Sequence, residues 1–464
     1  MEHNRFTTGQ RSAEHEGGRV HMRIVVVGAG DVGTHIARDL ADTHDLSVVD
    51  TDPGRIEALE SSLDLAAIEG DGRSLDVLEA ADIHEADIVI ASTDDDAVNV
   101  MVCGAAANVT DAFTIARVKS GELFDTWQEF GDTFGVDRML CVDRLAAAAL
   151  VRTVTLPGAL AAGTFVDDRV EMAEFEVEAD HEIANEHVAD ADRFPSLTFA
   201  GVLRNDAVLV PTGDTVFEPG DRVVVIGSPT SVRRFATTLS PTAALDPDDD
   251  IVVIGGDETG CRTAELFDER GYTPILVEHD PERTAALGGR LSGVSIEEGE
   301  ATSAAFLRDV GVGDAELVVG TLDDETNYLV SLLARRIGAN HTASVVAERE
   351  FVDLFDAAGV DVTVQPHTVV AEEIARATRA YTDEAAILER DSAEVLEITV
   401  ERESALAGEA IEDVAHDLPD GFVIGAIVRE GSLTTPRGGT VVQVGDRVVA
   451  FADTAALDEV TAAL

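Results

Sequence analysis

The sequence predicts an α/β chain of four parts: two tandem Rossmann-like, doubly wound parallel sheets, each followed by a small α+β module. Three observations predict it. Apolar strands alternate with amphipathic helices over residues 22–142 and again over 251–370, the pattern of a parallel sheet covered on both faces. The chain repeats itself with a period of roughly 227 residues. After each such half, over 168–240 and 393–464, strand-like runs are divided by turn residues and helix-length apolar patterns are few.

Taken in order, residues 24–27, 46–49, 66–68, 88–91 and 114–116 read as short strands, while 32–40 and 53–59 carry helical spacing. The repeat is visible residue by residue. Arg23-Ile24-Val25-Val26-Val27-Gly28 answers to Asp250-Ile251-Val252-Val253-Ile254-Gly255, and Val48-Val49-Asp50 to Leu276-Val277-Glu278. Thr93, Asp95, Asp96 and Asn99 align with Thr321, Asp323, Asp324 and Asn327, and Gly135-Val136-Asp137 recurs as Gly359-Val360-Asp361. In the small modules Gly220-Asp221-Arg222-Val223 returns as Gly445-Asp446-Arg447-Val448. Residues 143–167 read as a crossover helix and linker, 241–250 as a linker rich in Pro, Ala and Asp, 371–392 as a helix and linker, and the polar stretch 1–21 as a flexible tail.

Charge narrows the function classes. Ninety acidic residues against 33 basic ones give a formal net charge of −57, which excludes nucleic acid as a partner. The acids are spread through periodic segments, so the excess reads as a solvated surface. Such a surface suits a cytosol nearly saturated with salt, where a Debye length of about 3 Å screens self-repulsion, and points to an extreme halophile. Cys103, Cys141 and Cys261 lie far apart and outside any Cys-x-x-Cys pattern, so they read as core residues rather than zinc ligands or disulfides. No metal site is expected. Neither a signal-peptide pattern nor a run of 18 apolar residues is present, so a soluble chain is expected.

The chemistry is concentrated in Gly28-Ala29-Gly30-Asp31-Val32-Gly33, a Gly-x-Gly-x-x-Gly loop between a strand and a helix. Its glycines suit a tight turn, close approach of a pyrophosphate and close helix–sheet packing, and the helix start offers free N–H groups to phosphate. Asp50, at the end of the next strand, suits the ribose hydroxyls of NAD; its alternative is a cap on the following turn. Asp71 follows the third strand, Thr93 and Asp94 the fourth, and Arg117 ends the fifth, all directed toward one crevice. Arg117 suits a phosphate; its alternative is a surface ion pair. The run Asp94-Asp95-Asp96 reads as a turn with a helix cap at Asp95 in preference to a divalent-cation site.

The second loop, Gly255-Gly256-Asp257-Glu258-Thr259-Gly260, places a carboxylate where the middle glycine belongs, and Val345 stands where Arg117 would. This half is expected to bind dinucleotide weakly or not at all. A dehydrogenase is the main alternative function, because it uses the same loop. It also needs a proton donor beside the nicotinamide. His181 and His187 lie in a polar stretch, Lys119 is the only lysine, and Tyr272, Tyr328, Tyr381 and His367 belong to the second half. No catalytic residues are assigned.

Together the Gly28–Gly33 loop, Asp50-Thr51, Asp95-Asp96 with Asn99, Ala116-Arg117-Val118 and Leu156-Pro157-Gly158-Ala159 resemble the regulator-of-conductance (RCK, or KTN) family. The four-part order RCK_N, RCK_C, RCK_N, RCK_C is similar to that of the regulatory subunits of Trk-type potassium uptake systems. The resemblance covers nearly all of 22–464. It implies a non-enzymatic subunit in which Gly28 to Val32, Asp50, Thr93, Asp94 and Arg117 contact NAD(H), with ATP or ADP as further ligands. It also implies a tetrameric ring on the cytoplasmic face of a membrane potassium transporter, whose gate nucleotide occupancy biases.

Overall fold

The computed structural model describes residues 21–453 except 42, 132–133, 167–168, 205–206, 241–244, 246–247, 383–384, 388–392, 403, 415–417, 419–420 and 430. The tail read over 1–21 thus lies, but for His21, outside the described residues, as does most of the linker 241–250. By its contacts the chain forms two compact units, Met1–Leu145 with Pro366–Thr382, and Ala146–Gln365 with Asp383–Leu464.

The first repeat runs β1 (Arg23–Val27), α1 (Asp31–Leu40), β2 (Asp45–Asp50), α2 (Pro53–Ser62), β3 (Ala66–Glu69), α3 (Leu75–Ala80), β4 (Ile88–Ala91), α4 (Asp96–Val109), β5 (Phe113–Val118), α5 (Gly121–Phe130), β6 (Arg138–Cys141) and α6 (Val142–Thr155). Its six strands are parallel in the order β3-β2-β1-β4-β5-β6. β4 is buried throughout. A strand covered on both faces has no polar side, which is why Ile88-Val89-Ile90-Ala91 lacks alternation. The strand order reverses on either side of β1, and such a switch point opens a crevice beyond the strand ends.

The first small module is an antiparallel sheet of β7 (Ala159–Phe165), β8 (Val170–Glu176), β9 (Leu197–Arg204), β10 (Ala207–Leu209) and β11 (Arg222–Gly227), with α7 (Val188–Ala191) between β8 and β9 and α8 (Pro229–Leu239) after β11. β7 lies in the segment read from the sequence as linker. It pairs with β8, but its Ala-Leu-Ala-Ala-Gly run has neither β-branching nor alternation to announce a strand.

The second repeat follows as β12 (Ile251–Ile254), α9 (Glu258–Glu269), β13 (Ile275–Glu278), α10 (Pro281–Arg290), β14 (Ser295–Glu298), α11 (Ala304–Asp309), β15 (Leu317–Gly320), α12 (Asp324–Ile337), β16 (His341–Val345), α13 (Arg349–Ala358), β17 (Val362–Val364) and α14 (Pro366–Thr382). Its sheet has the same order, β14-β13-β12-β15-β16-β17. The second module contains β18 (Ala385–Ile387), β19 (Ala393–Thr399), α15 (Ile411–Val414), β20 (Phe422–Arg429), β21 (Ser432–Thr434) and β22 (Arg447–Asp453).

Helix α14 packs outside its own repeat. Val370, Ala371 and Ile374 are fully buried among Val32, Ile36 and Leu40 of α1, so a helix encoded in the second half completes the core of the first sheet. In the other unit the two module sheets face each other across Met172, Val224, Ile226, Val395, Val449 and Phe451. Gly425 and Gly201 sit at this contact. A Cβ on Gly425 would lie 2.6 Å from Ile226, and one on Gly201 would run into the Phe451 ring.

The repeated Gly-Asp-Arg turn has a physical explanation. Asp221 is buried and accepts from Arg204 Nε and Nη2, both at 2.7 Å, and from the Glu218 amide at 2.7 Å. Asp446 repeats the set with Arg429 at 2.8 and 2.7 Å and the Gln443 amide at 2.8 Å. The Arg429 hydrogen bonds hold the Asp446 carboxyl below its ordinary range. Each carboxylate thus fixes the entry to a central strand by a two-pronged ion pair. Asp221→Asn leaves a guanidinium N–H unmatched in a mostly buried place and should cost about 2 kcal/mol. Hydrogen exchange should show faster amide exchange in β9 and β11 with the first repeat unchanged; unaltered exchange in β11 would show that the pair is dispensable.

Candidate nucleotide site

The three glycines of the first loop do different work. Gly28 leaves β1 with φ +105°, and a Cβ there would sit 2.8 Å from the Thr93 amide nitrogen. At Gly33 a Cβ would strike the Gly28 carbonyl, so only glycine lets α1 lie this close to the strand end. Gly30 is different: a Cβ would meet nothing nearer than Arg55 Nη1 at 3.9 Å. Packing does not demand it; its bareness leaves room in front of α1. As N-cap of α1, Gly30 also offers no side-chain acceptor, so the first-turn N–H groups are left for another anion.

Asp50 is buried and fixes this loop from below. Its Oδ2 accepts from the Ala29 amide at 2.6 Å and its Oδ1 from the Asp52 amide at 2.8 Å. The turn-capping alternative is therefore part of its role, and the carboxylate still forms part of the cavity wall. Asp71 faces the cavity from the end of β3, held by Arg73 through Nε at 3.0 Å and Nη2 at 2.6 Å. Those bonds bring its carboxyl down to about 2.

From β5 comes Arg117, only 2% exposed. Its Nη1 donates to the Thr93 carbonyl at 2.9 Å and to Asp94 Oδ1 at 3.2 Å, while its Nε is buried with no hydrogen-bond partner. It is not a surface ion pair. Burial opposes the charge of Asp94, but the hydrogen bond and charge of Arg117, with Lys119 and His367 behind, outweigh it and hold the Asp94 carboxyl below its ordinary range. Asn99 secures the loop, accepting from the Thr93 amide at 2.9 Å and donating to the Arg117 carbonyl at 2.7 Å. Each carboxylate of the acidic run has a protein partner: Asp94 meets Arg117, Asp95 caps α4, and Asp96 accepts from the Lys119 and Ser120 amides.

These elements enclose a cavity of about 480 Å³. Gly28, Gly30, Asp31 and Val32 line it on the loop side; Asp50, Asp71, Thr93, Asp94 and Arg117 line the rest. Ala29 and Gly33 do not reach it: they sit behind the loop as backbone support. Arg55, Arg73 and His367 also line it and were missed in the sequence. Arg55 lies one turn into α2 and Arg73 two residues after Asp71, so proximity to predicted residues was their only signal. A cation buried on the wall with an unpartnered nitrogen, beside an uncapped helix start, fits a diphosphate of a dinucleotide.

The second repeat contrasts at each point. Asp257 caps α9 with its own carboxylate, accepting from the Gly260 amide at 2.8 Å, so the helix start already holds an anion. Burial pushes the Asp257 carboxyl above its ordinary range. The structure also corrects one alignment. Asn327 accepts from the Leu322 amide as Asn99 does from Thr93, so Leu322 answers to Thr93 and Thr321 to Ser92. The loop is one residue shorter, Asp94 has no counterpart, and the remaining cavity is about 50 Å³. Cys103 and Cys261 are buried thiols pushed up to about 12 and about 11, as befits core residues.

The TrkA-N domain model matches residues 24–140 and 251–366, and the TrkA-C domain model matches 172–240 and 395–464. The chain belongs to the TrkA family. Among its relatives is the Trk system potassium uptake protein TrkA homolog of Archaeoglobus fulgidus, 34% identical over 433 residues, 93% of this chain and 97% of that protein. Another is the Trk system potassium uptake protein TrkA of Halomonas elongata, 30% identical over 442 residues, 93% and 95% of the two chains. The fold is also that of the GsuK channel bound to NAD (TM-score 0.58, 20% identity, 99% of this chain and 82% of that one) and of the GsuK RCK domain (TM-score 0.57, 20% identity, 99% of both). TrkA membership places the chain with potassium-transport proteins and not with enzymes, which removes the dehydrogenase alternative. No described helix is long and apolar enough to cross a membrane.

Proposed function

We propose that this TrkA-family chain is the nucleotide-sensing regulatory subunit of a Trk-type potassium uptake transporter, binding NAD(H) in its first repeat, with ADP or ATP as competing ligands. The observation that carries this reading is Arg117, a buried cation with an unpartnered Nε on the wall of a cavity that also holds an uncapped helix start. The diphosphate sits over the Gly28–Gly33 loop and takes the charge of Arg117, while Asp50 and Asp71 line the nucleoside end. The second repeat, whose helix start is closed by Asp257, is silent. The GsuK channel bound to NAD, a relative in fold, is consistent with this choice of ligand.

A cytosolic subunit acts on a membrane partner only through an assembly that nucleotide can bias, which requires different affinities in two states. Self-association into a tetrameric ring is supported by exposed apolar side chains on the corresponding helices of the two repeats: Met101 on α4 and Leu329 on α12 at matching positions, and Phe130 on α5 and Leu354 on α13. Apolar groups repeated on a surface this acidic call for partners. Native mass in about 2 M KCl, the salt that the net charge calls for, should correspond to four chains of 49.0 kDa; a monomer would contradict the ring.

Calorimetry in the same salt should show NAD or NADH binding and competition by ADP. Arg117→Met should weaken that binding roughly 10-fold or more, without lowering the melting temperature of the nucleotide-free chain, because a buried cation that serves a ligand does not serve the fold. Absence of nucleotide binding, or unchanged affinity in Arg117→Met, would overturn the reading.

A further inference from the structure

Among the described residues that line the nucleotide cavity, all but His367 come from the first repeat. It stands in the first turn of α14, the helix that the second repeat lends to the first core. Its Nδ1 lies 3.5 Å from Asp31 Oδ2 at the start of α1, and its side chain is 34% exposed. The charged groups facing the imidazole are Asp31 from α1 and Asp94 from the loop after β4, with Arg117 of β5 and Lys119 just after it behind Asp94. Counting on from Gly135-Val136-Asp137 and Gly359-Val360-Asp361, the residue of the first repeat that answers to His367 is Asp143. A helix start at this place therefore does not demand a histidine; the cavity gives it a reason.

We propose that His367 is a phosphate-contacting residue of the nucleotide site, supplied by the second repeat, and that its protonation sets the affinity for the diphosphate. The proposal rests on the nucleotide-binding reading above. The start of α1 is where a diphosphate finds free N–H groups, and it is also where His367 meets Asp31. With the ring neutral, Asp31 and Asp94 oppose an incoming anion, and the cations on the cavity wall are Arg117, Arg55 and Arg73. With the ring protonated, a further cation stands at the helix start beside Asp31, shared between Asp31 and the phosphate oxygens. Binding thus takes up a proton, and affinity falls as rising pH removes the charge from the ring. The same contact ties occupancy of the first repeat to the position of a helix belonging to the second.

The test is calorimetry on the full chain in about 2 M KCl at pH 6, 7 and 8, with NAD, ADP and adenosine as probes. NAD is the primary probe because its diphosphate carries no titrating proton in this range; ADP is read as the ratio of wild type to variant, which cancels its own terminal ionisation. Wild type should bind NAD about three- to tenfold more weakly at pH 8 than at pH 6, and adenosine equally at both. His367→Gln should bind NAD at pH 6 as weakly as wild type does at pH 8, with a flat profile, and His367→Asn should behave alike. Melting temperatures of both variants report whether α14 still docks. A variant that keeps the wild-type pH slope overturns the role of His367 and leaves the nucleotide site standing. Failure of wild type to bind any nucleotide overturns both.

Discussion

A buried cation needs a counter-charge, and Arg117 has only part of one. Within the fold its Nη1 meets a backbone carbonyl and the outer carboxylate of Asp94, and its Nε meets nothing. Leaving such a group incompletely matched in low dielectric is costly. The neighbouring design follows from tolerating it. Asn99 ties the Thr93 loop to the Arg117 backbone, Asp50 ties the glycine loop to β2, and Gly30 leaves the helix start uncapped. Each holds a polar group where the proposed nucleotide would meet it, at some cost in stability of the empty protein.

The second repeat shows what the same topology becomes when that constraint is lifted. Val345 replaces the cation, Asp257 closes the helix start, Leu322 replaces the hydroxyl of Thr93, and the cavity shrinks. Nothing in the sheet had to change, since both have the same strand order. Fold and site are separable here: the parallel sheet supplies the crevice, and a handful of residues at its edge decide whether the crevice stays open or is filled.

Much of this was legible in the sequence because it is local. The Gly28–Gly33 loop, Asp50 at the next strand end and the Gly-Asp-Arg turns are short-range patterns whose geometry follows from the residues themselves. The damaged copy at Asp257 was legible by comparison with the intact one. What escaped notice is long-range or depends on spacing. His367 reaches the site only because α14 docks on α1, a tertiary exchange that no periodicity reports. The Thr321 alignment slipped by one residue because the deletion lies in a loop, where register leaves no apolar signature. Strand β7 hid in small residues that pack equally well as helix. Asp50 reads from the sequence as a ribose acceptor, yet its oxygens hold two backbone amides, a loop-fixing role visible only once the loop is folded.

The asymmetry of the two repeats is the central claim, and the number of nucleotides bound per chain tests it most directly. Equilibrium dialysis of the full chain against saturating labelled NAD in molar KCl should give one bound molecule per chain. Two per chain would show that Asp257 and Val345 do not silence the second repeat, and none would show that Arg117 is not held for a nucleotide.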